Sequence, residues 1–298
     1  MSLERAAARI APRCSSHGLL LVSLVLGTGL VLAVNFYLAA RSVGVISTGA
    51  PAVDWAQYVE AGRRVWQRGD LYAITDTYAY HYSPLLALAF GVISPIGTTM
   101  WRILHVVAAL ALPSWPLRIV AFASWPFWYD VEAGNLMTFT VLAAAWALVG
   151  SRVATGAYLL LVVLVPRPLM FPVAAWILWR RPEWRVPFGT ALVLSLAGAV
   201  ALGWAGEWFG AMLAASGDVA IPSNIGPSRF IGAAWLLIGI PLAAWLTWRG
   251  RLGLASLAAS LYWLPYYLLM LLLELVRPVE RVRTAARRER VVGAIAAP

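Results

Sequence analysis

One polar stretch, residues 51–84, concentrates the side chains of this chain that could do chemistry. The chain has 13 acidic residues in 298, and four of them fall here: Asp54, Glu60, Asp70 and Asp76. Phenol and imidazole groups accompany them, namely Tyr58, Tyr72, Tyr78, Tyr80, His81 and Tyr82. A carboxylate can act as a general base at neutral pH. Aromatic rings stack on sugar faces, and their polar groups hydrogen-bond hydroxyls. The stretch therefore predicts a base beside an aromatic binding wall.

Structural explanations for the same residues stay open. Asp54 is followed three residues later by Gln57, which is the spacing of a capping box at a helix start. Tyrosines and histidines close to an apolar run are also typical of an aromatic belt at a membrane interface. Spacing alone does not separate these explanations from a binding or catalytic role.

A helical pattern runs from Asp54 to Arg68. Its predicted apolar stripe consists of Trp55, Val59, Gly62 and Trp66. Glu60 and Arg64 have the i,i+4 spacing of a supporting ion pair on the opposite, polar face. The pattern predicts an amphipathic helix that lies on the outer surface of a membrane, with its tryptophans at the headgroup level.

The composition defines the class of protein that carries this stretch. The chain is 61% hydrophobic and 12% charged, with a mean hydropathy of +0.76, and long runs of Leu, Ala and Val recur along it. We therefore predict an all-α polytopic membrane protein with about nine or ten transmembrane or re-entrant helices. The net charge of +10 comes from arginines at segment ends, which indicates topology signals and lipid contacts rather than nucleic-acid binding. The single cysteine, Cys14, excludes a disulfide framework.

Charge also predicts the organisation of the chain. Residues 1–17 carry arginines ahead of the apolar run 18–40, which exceeds the length of a signal-peptide core and is predicted to be a retained first span. The basic end then stays in the cytoplasm, and residues 41–82 form the first extracytoplasmic loop. The transmembrane domain covers residues 18–276, and residues 277–298 form a basic tail.

Later segments are expected to be shorter or broken. We expect one short apolar piece at 117–129, a polar loop at 205–228 and a single span at 252–276. Pro166, Arg167 and Pro168 interrupt another apolar run. Broken helices at membrane depth need protein or a water-filled cavity to satisfy their backbone, so these breaks predict a cavity.

A second acidic pair, Asp130 and Glu132, stands in an otherwise apolar region. The pair could bind a divalent cation or an acceptor, or it could form a solvated turn. His105, within an apolar run, fits a packing histidine or an interface residue. Arg63 and Arg64 fit either an anionic headgroup site or a solvated helix face. A divalent cation is the one cofactor hypothesis that the sequence offers.

The order of residues along the first loop resembles a known family. It reads Asp54, Trp55, Tyr58, Gly62, Gly69, Leu71, Tyr72, Tyr80, Tyr82, Ser83 and Pro84. This order is similar to the first outer loop of the GT-C superfamily of polytopic glycosyltransferases, in particular the bacterial polyprenol-phosphate-mannose-dependent mannosyltransferases. Gly134 with Asn135, and the stretch 166–185, resemble two later family segments. The family commonly has proline at Ser83 and lysine at Arg167.

The resemblance implies an activity. Members of the superfamily transfer a sugar, here most simply mannose, from a polyprenyl-phosphate carrier to an acceptor hydroxyl, generally with inversion. It implies that Asp54 is the general base and that Arg167, Arg63 and Arg64 bind the donor phosphate. The residues expected to bind sugar or acceptor are Tyr58, Tyr72, Tyr80, His81, Tyr82, Asn135 and Asn224. The implied partners are a polyprenyl-phosphate sugar, a glycolipid or glycan acceptor and membrane lipids, at the outer face of a bacterial plasma membrane.

Two other classes of function remain open from the sequence. A lipid or ion transporter would distribute intramembrane charges along a route and would often carry an internal repeat. A noncatalytic relative of the glycosyltransferases would keep the spans and tolerate loss of Asp54.

Overall fold

The computed structural model describes residues 52–74, 80–217 and 224–276, and four residues between 24 and 29, which are helical. The expectations for residues 1–17, for most of the span 18–40, for Asp76 and Tyr78 and for the tail 277–298 fall outside them. The described part contains α-helices, four 3-10 turns of three residues, one longer 3-10 helix and no strand. The α-helices are α1 Val53–Trp66, α2 Pro84–Ile93, α3 Gly97–Leu110, α4 Trp115–Ala123, α5 Trp125–Ala133, α6 Met137–Leu148, α7 Arg152–Leu164, α8 Phe171–Arg180, α9 Arg185–Ala201, α10 Ala205–Gly217, α11 Ser228–Ile231, α12 Trp235–Trp248 and α13 Leu252–Ala259.

Three helical runs in the described residues are long and apolar enough to cross a membrane: 84–110, 182–201 and 228–248. The last two bury little of their surface in the protein. Val193 and Leu194 of α9, for example, are each 63% exposed. Apolar faces of this length are stable against lipid rather than water. The structure therefore confirms the all-α class and supports a membrane protein.

Helix α1 forms where the sequence predicts one, but its buried face is different. The buried side chains are Trp55, Tyr58, Ala61, Gly62 and Val65. Trp66, assigned to the apolar stripe, is 61% exposed. The buried face packs on α2 rather than lying free. The predicted stripe is right at Trp55 and Gly62 and wrong at Trp66, because contact with α2 selects the face that also carries Tyr58, Ala61 and Val65.

Glycines allow this contact. A Cβ added to Gly62 would lie 2.4 Å from the backbone nitrogen of Gly91 in α2. No side chain larger than hydrogen fits at that distance, so the two backbones meet directly. The first loop is thereby fixed to the helix that follows it.

Three expectations for the later segments are corrected. The expected polar loop at 205–228 contains helix α10, and the expected piece at 117–129 is divided between α4 and α5 at Ser124. The expected single span 252–276 is also broken. Helix α13 ends at Ala259, and the chain resumes as an eleven-residue 3-10 helix, Pro265–Leu275. Such helices rarely exceed three or four residues, so tertiary contacts must hold this one.

Those contacts place the 3-10 helix at the centre of the fold. It packs against α13, α5 and α6, and Tyr266, Tyr267, Met270 and Leu273 are buried in the main hydrophobic core. Tyr266 consequently reaches Asp54 in the first turn of α1, and Tyr267 contacts Arg167 just after α7. The candidate site lies between them.

Candidate functional site

Asp54 is placed by the first turn of α1. The helix begins at Val53 after Ala52, and no side chain caps it. The capping-box explanation of Asp54 is therefore wrong. Its Oδ2 instead accepts a hydrogen bond of 2.7 Å from Nδ2 of Asn135. At the second position of a helix, the carboxylate also lies in the favourable field of the helix N-terminus.

Asn135 joins Asp54 to the rest of the site. Its Nδ2 also donates to the hydroxyl of Tyr58 at 3.2 Å. Its Oδ1 accepts from the backbone N–H of Leu136 at 2.7 Å and from an Nη of Arg167 at 3.2 Å. The side chain is fully buried. One amide thus connects a carboxylate and a guanidinium that are distant in the sequence, and we call Asp54, Asn135 and Arg167 the bridged cluster.

Gly134 sets the position of Asn135. It ends α5 with φ +69°, a left-handed conformation that favours glycine. A Cβ at Gly134 would lie 2.8 Å from the Cβ of Trp55. Its carbonyl accepts from Nε1 of Trp101 at 2.9 Å. The glycine therefore allows α1, α3 and α5 to meet where the bridging amide is needed.

Arg167 lies in the break that the prolines make between α7 and α8. Pro166 and Pro168 end the helical hydrogen bonding there. The residue is 8% exposed, and its guanidinium lies over the rings of Tyr82 and Tyr267, at 4.9 and 5.4 Å from their centroids. Cation–π contacts of this kind stabilise a desolvated guanidinium. A planar fork of donors held in this way suits a phosphate.

A cavity of about 90 Å³ opens beside Arg167. Its lining comes from the first loop, from the proline break, from α10 and from the segment that follows α13. The lining residues are His81, Tyr82, Pro166, Arg167, Pro168, Leu169, Met212, Ser260, Leu261, Tyr262 and Tyr267. His81 Nδ1 is buried and has no hydrogen-bond partner among the described residues. Burial, followed by the charge of Arg167, lowers the pKa of His81, so its imidazole is neutral at neutral pH.

The electrostatics of Asp54 reflect competing effects. Burial raises the pKa of Asp54 above its ordinary value of 3.8. The hydrogen bond from Asn135, the charge of Arg167 and the hydroxyl of Tyr266 lower it by smaller amounts. The result is a carboxylate more basic than one in water, next to a cation that favours its ionised form.

The tyrosines of the first loop divide into two roles. Tyr82 reaches the cavity, and Tyr58 contacts the bridged cluster. By contrast, Tyr72 donates its hydroxyl to the carbonyl of Tyr82, and Tyr80 donates to the carbonyl of Ser83. The last two therefore support the loop that presents Tyr82 and His81.

Three other predicted residues are not brought to the bridged cluster. Arg63 and Arg64 lie about 14 Å along α1 from Asp54, at about 1.5 Å per residue. Both bond Glu60, and the Glu60 to Arg64 distance of 2.9 Å confirms the predicted i,i+4 pair. Asn224 is fully buried, where its side chain binds Gly226, Ser228 and Trp263 and so ties two loops together.

The acidic pair of α5 is separated by the fold. Asp130 is fully buried and accepts from Thr138, whereas the side chain of Glu132 is 69% exposed and pairs with Arg102 at 2.9 Å. The described residues contain no group of three or more His, Cys, Asp or Glu placed to hold a metal ion. The two carboxylates therefore do not share one ligand.

The sequence reasoning missed the tyrosines of the C-terminal segment. Tyr262 and Tyr267 line the cavity, and Tyr266 influences Asp54. The signal was a cluster of aromatic residues around Pro265 within an apolar run. A proline in such a run often marks a broken helix.

No family model, curated protein or solved structure matches this chain. The bridged cluster and its cavity therefore carry the functional conclusion.

Proposed function

We propose that this chain is a membrane glycosyltransferase that transfers a sugar, with mannose as the leading candidate, from a polyprenyl phosphate to an acceptor hydroxyl. The observation that carries the proposal is the bridged cluster, in which Asn135 bonds the Asp54 carboxylate at 2.7 Å and the Arg167 guanidinium at 3.2 Å. A base and a cation for phosphate are thus held by one side chain.

The reaction needs both groups. The acceptor oxygen attacks the anomeric carbon while the bond from that carbon to the phosphate oxygen breaks, with inversion of configuration. Asp54 takes the hydroxyl proton, and the electron pair of the broken bond stays on the lipid phosphate. Because that leaving group is already an anion, it needs an adjacent cation more than a proton donor, and Arg167 supplies one.

The surroundings of the two groups suit this chemistry. Burial makes Asp54 a stronger base by raising its pKa, and a positioned base contributes about 10² to 10⁴ in rate. The cavity beside Arg167 has tyrosine walls, Tyr82, Tyr262 and Tyr267, and a neutral imidazole at His81. Rings of this kind stack on sugar faces, and their polar atoms bind hydroxyls.

The proposed location follows from the same chemistry. We place the bridged cluster on the outer face of a bacterial plasma membrane in a multi-pass protein, where the donor is a lipid-linked sugar and the acceptor a glycolipid or glycan. The three apolar helices long enough to cross a membrane support the membrane setting.

The test is sugar transfer by the purified protein. Radiolabelled polyprenyl-phosphate mannose, and a panel of other polyprenyl-phosphate sugars, are incubated with a membrane-lipid extract and wild-type protein or Asp54→Asn. We expect transfer by the wild type and a loss of about 10² or more in the variant. The amide oxygen introduced by this substitution can still accept the hydrogen bond from Asn135, so the fold should persist.

Asp70→Asn is the matched control. Asp70 is an exposed carboxylate of the same loop whose Oδ1 accepts from the backbone of Tyr72, and its change should leave transfer intact. Equal transfer by wild type and Asp54→Asn would remove Asp54 from the chemistry. No transfer from any donor would favour a transport or noncatalytic role.

A further inference from the structure

His105 has an unusual pair of hydrogen-bond partners. It lies in the middle of α3, is fully buried and packs between the rings of Trp101 and Phe139. Its Nδ1 lies 2.8 Å from the carbonyl oxygen of Trp101, and its Nε2 lies 2.6 Å from the carbonyl oxygen of Asn135. Both ring nitrogens therefore face backbone carbonyls.

These contacts restrict the protonation state of the ring. A carbonyl oxygen only accepts hydrogen bonds, and a neutral imidazole has one N–H and one lone pair. Either neutral tautomer would direct a nitrogen lone pair at a carbonyl oxygen that lies 2.8 or 2.6 Å away. Only the imidazolium donates to both carbonyls.

A buried cation needs an anion nearby, and α5 provides one. Asp130 Oδ2 lies 3.7 Å from Nε2 of His105, and both side chains have no solvent exposure. The same oxygen accepts from the backbone N–H of Thr138 at 2.8 Å and from its hydroxyl at 2.6 Å. This oxygen is therefore unprotonated, and a proton on the other carboxyl oxygen, Oδ1, would find no hydrogen-bond partner among the described residues.

Other charged groups nearby already have partners. Glu132, on the same helix as Asp130, is exposed and pairs with Arg102 of α3. Asp54 and Arg167 lie on the far side of Asn135 and share its amide. Asp130 is thus the counter-ion that the described fold offers to His105.

We infer that His105 and Asp130 form a buried imidazolium–carboxylate pair that holds the backbone of Asn135, so that its side-chain amide reaches both Asp54 and Arg167. The pair carries one proton more than a neutral imidazole beside a carboxylate, and that proton resides on the imidazole. His105 is a positioning residue, since it touches neither Asp54 nor Arg167. Its role in catalysis rests on the proposed sugar transfer, but its protonation state does not.

The first experiment measures the protonation state directly. The chain has three histidines, so ¹⁵N-histidine labelling of the full-length protein in lipid nanodiscs gives few signals, and His105→Gln identifies the one from His105. At neutral pH we expect both ring nitrogens of His105 to carry hydrogen, with the shifts of an imidazolium. A neutral ring in the wild type would overturn the inference, and this spectrum needs no variant that must fold.

A matched pair of variants tests the counter-ion. In Asp130→Asn the ring should change to a neutral tautomer, because the buried cation has lost its anion. In Glu132→Gln, on the same helix, the imidazolium signal should remain. An imidazolium that persists in Asp130→Asn would show that Asp130 is not the partner.

A kinetic measurement then tests positioning. We expect Asp130→Asn to lower the kcat of sugar transfer by about tenfold or more, because the bridging amide is displaced. The donor KM should stay within about twofold, because Arg167 still meets the phosphate. Unchanged kcat would overturn the positioning role. A wild type without any transfer would contradict the proposed function and leave the spectroscopic result intact.

Discussion

Asp54 and Glu60 are two carboxylates of the same helix whose pKa values shift in opposite directions. Asp54 meets an amide, and burial raises its pKa. Glu60 meets two arginines at the surface, where the hydrogen bond from Arg63 is the largest effect and the pKa falls to about 2. Less than two helical turns separate a carboxylate suited to taking up protons from one that is almost always ionised.

The comparison teaches that the environment of Asp54 is set by burial and by partners distant in the sequence, whereas that of Glu60 is set by its neighbours. Glu60 is paired by neighbours three and four residues away, and such pairs stabilise a helix without forming a binding site. Asp54 contacts Asn135, and Asn135 in turn contacts Arg167. Both residues come from other parts of the chain. The proposed chemistry is therefore expected at the Asp54 end of α1, and local helix stabilisation at the Glu60 pair.

The largest difference should follow removal of the arginine that accompanies each carboxylate, Arg167 for Asp54 and Arg63 for Glu60. Arg167→Met leaves the half-buried Asp54 without its cation, and we expect the free energy of unfolding to fall by about 3 kcal/mol. Arg63→Met, at the exposed end, should change it little. Thermal unfolding in one detergent compares the two, and equal losses would contradict the distinction between the ends.

A smaller loss should follow a change in how α1 is seated. Gly62→Ala places a Cβ 2.4 Å from the backbone of Gly91, and such overpacking costs about 1 to 3 kcal/mol. Gly210→Ala, in a helix with open space around that position, is the control and should be neutral or slightly stabilising. If Gly62→Ala were as stable as the control, α1 would not be held by this contact.

The acid limb of the pH profile sharpens the comparison further. The proposed sugar transfer requires ionised Asp54, so activity should fall as the pH drops through the pKa of Asp54. Because burial raises that pKa, the limb should lie above the ordinary value of 3.8. Initial rates across pH measure it, with Glu60→Gln as the control that leaves the limb unmoved. A limb at or below the ordinary value would rule out Asp54 as a buried base.

The smallest effect should come from the exposed pair. Glu60→Gln should cost about 0.3 to 0.5 kcal/mol, and added salt should reduce the difference. Since the folded pKa of Glu60 is about 2, below the ordinary 4.5, this stabilisation is present above pH 4.5 and is lost as the pH falls toward 2. Unfolding of the two proteins at high and low salt provides the measurement.

Parts of the fold were predictable because they depend on neighbouring residues. The helical class, helix α1, the Glu60 to Arg64 pair and the break at Pro166 follow from composition, periodicity and the missing N–H of proline. The expected polar loop at 205–228 and the single span at 252–276 were wrong. The 3-10 helix within 252–276 is held by its packing against α5, α6 and α13, whereas most described side chains of α10 are exposed and only Trp208 and Ala211 are buried.

Within the candidate site, residue types were easier to predict than their grouping. Asp54, Arg167 and Asn135 were each singled out, but Arg63, Arg64 and Asn224 were singled out equally, and the structure places those three in other contacts. Tyr266 and Tyr267 were overlooked because they are embedded in a long apolar run. Asp130 and Glu132 are two residues apart, which predicts an acidic pair, but the helix directs Asp130 to the buried Thr138 and Glu132 to the exposed Arg102.

The sequence by itself determined the helical, membrane-type character of the chain and its local ion pair, because apolar content, helical periodicity and i,i+4 spacing act within a few residues. Only the tertiary structure decided that Asp54, Asn135 and Arg167 meet, that two C-terminal tyrosines cover them and that His105 faces Asp130. Those contacts join helices far apart in the chain, and they depend on close approaches at Gly62 and Gly134 whose geometry no local pattern encodes.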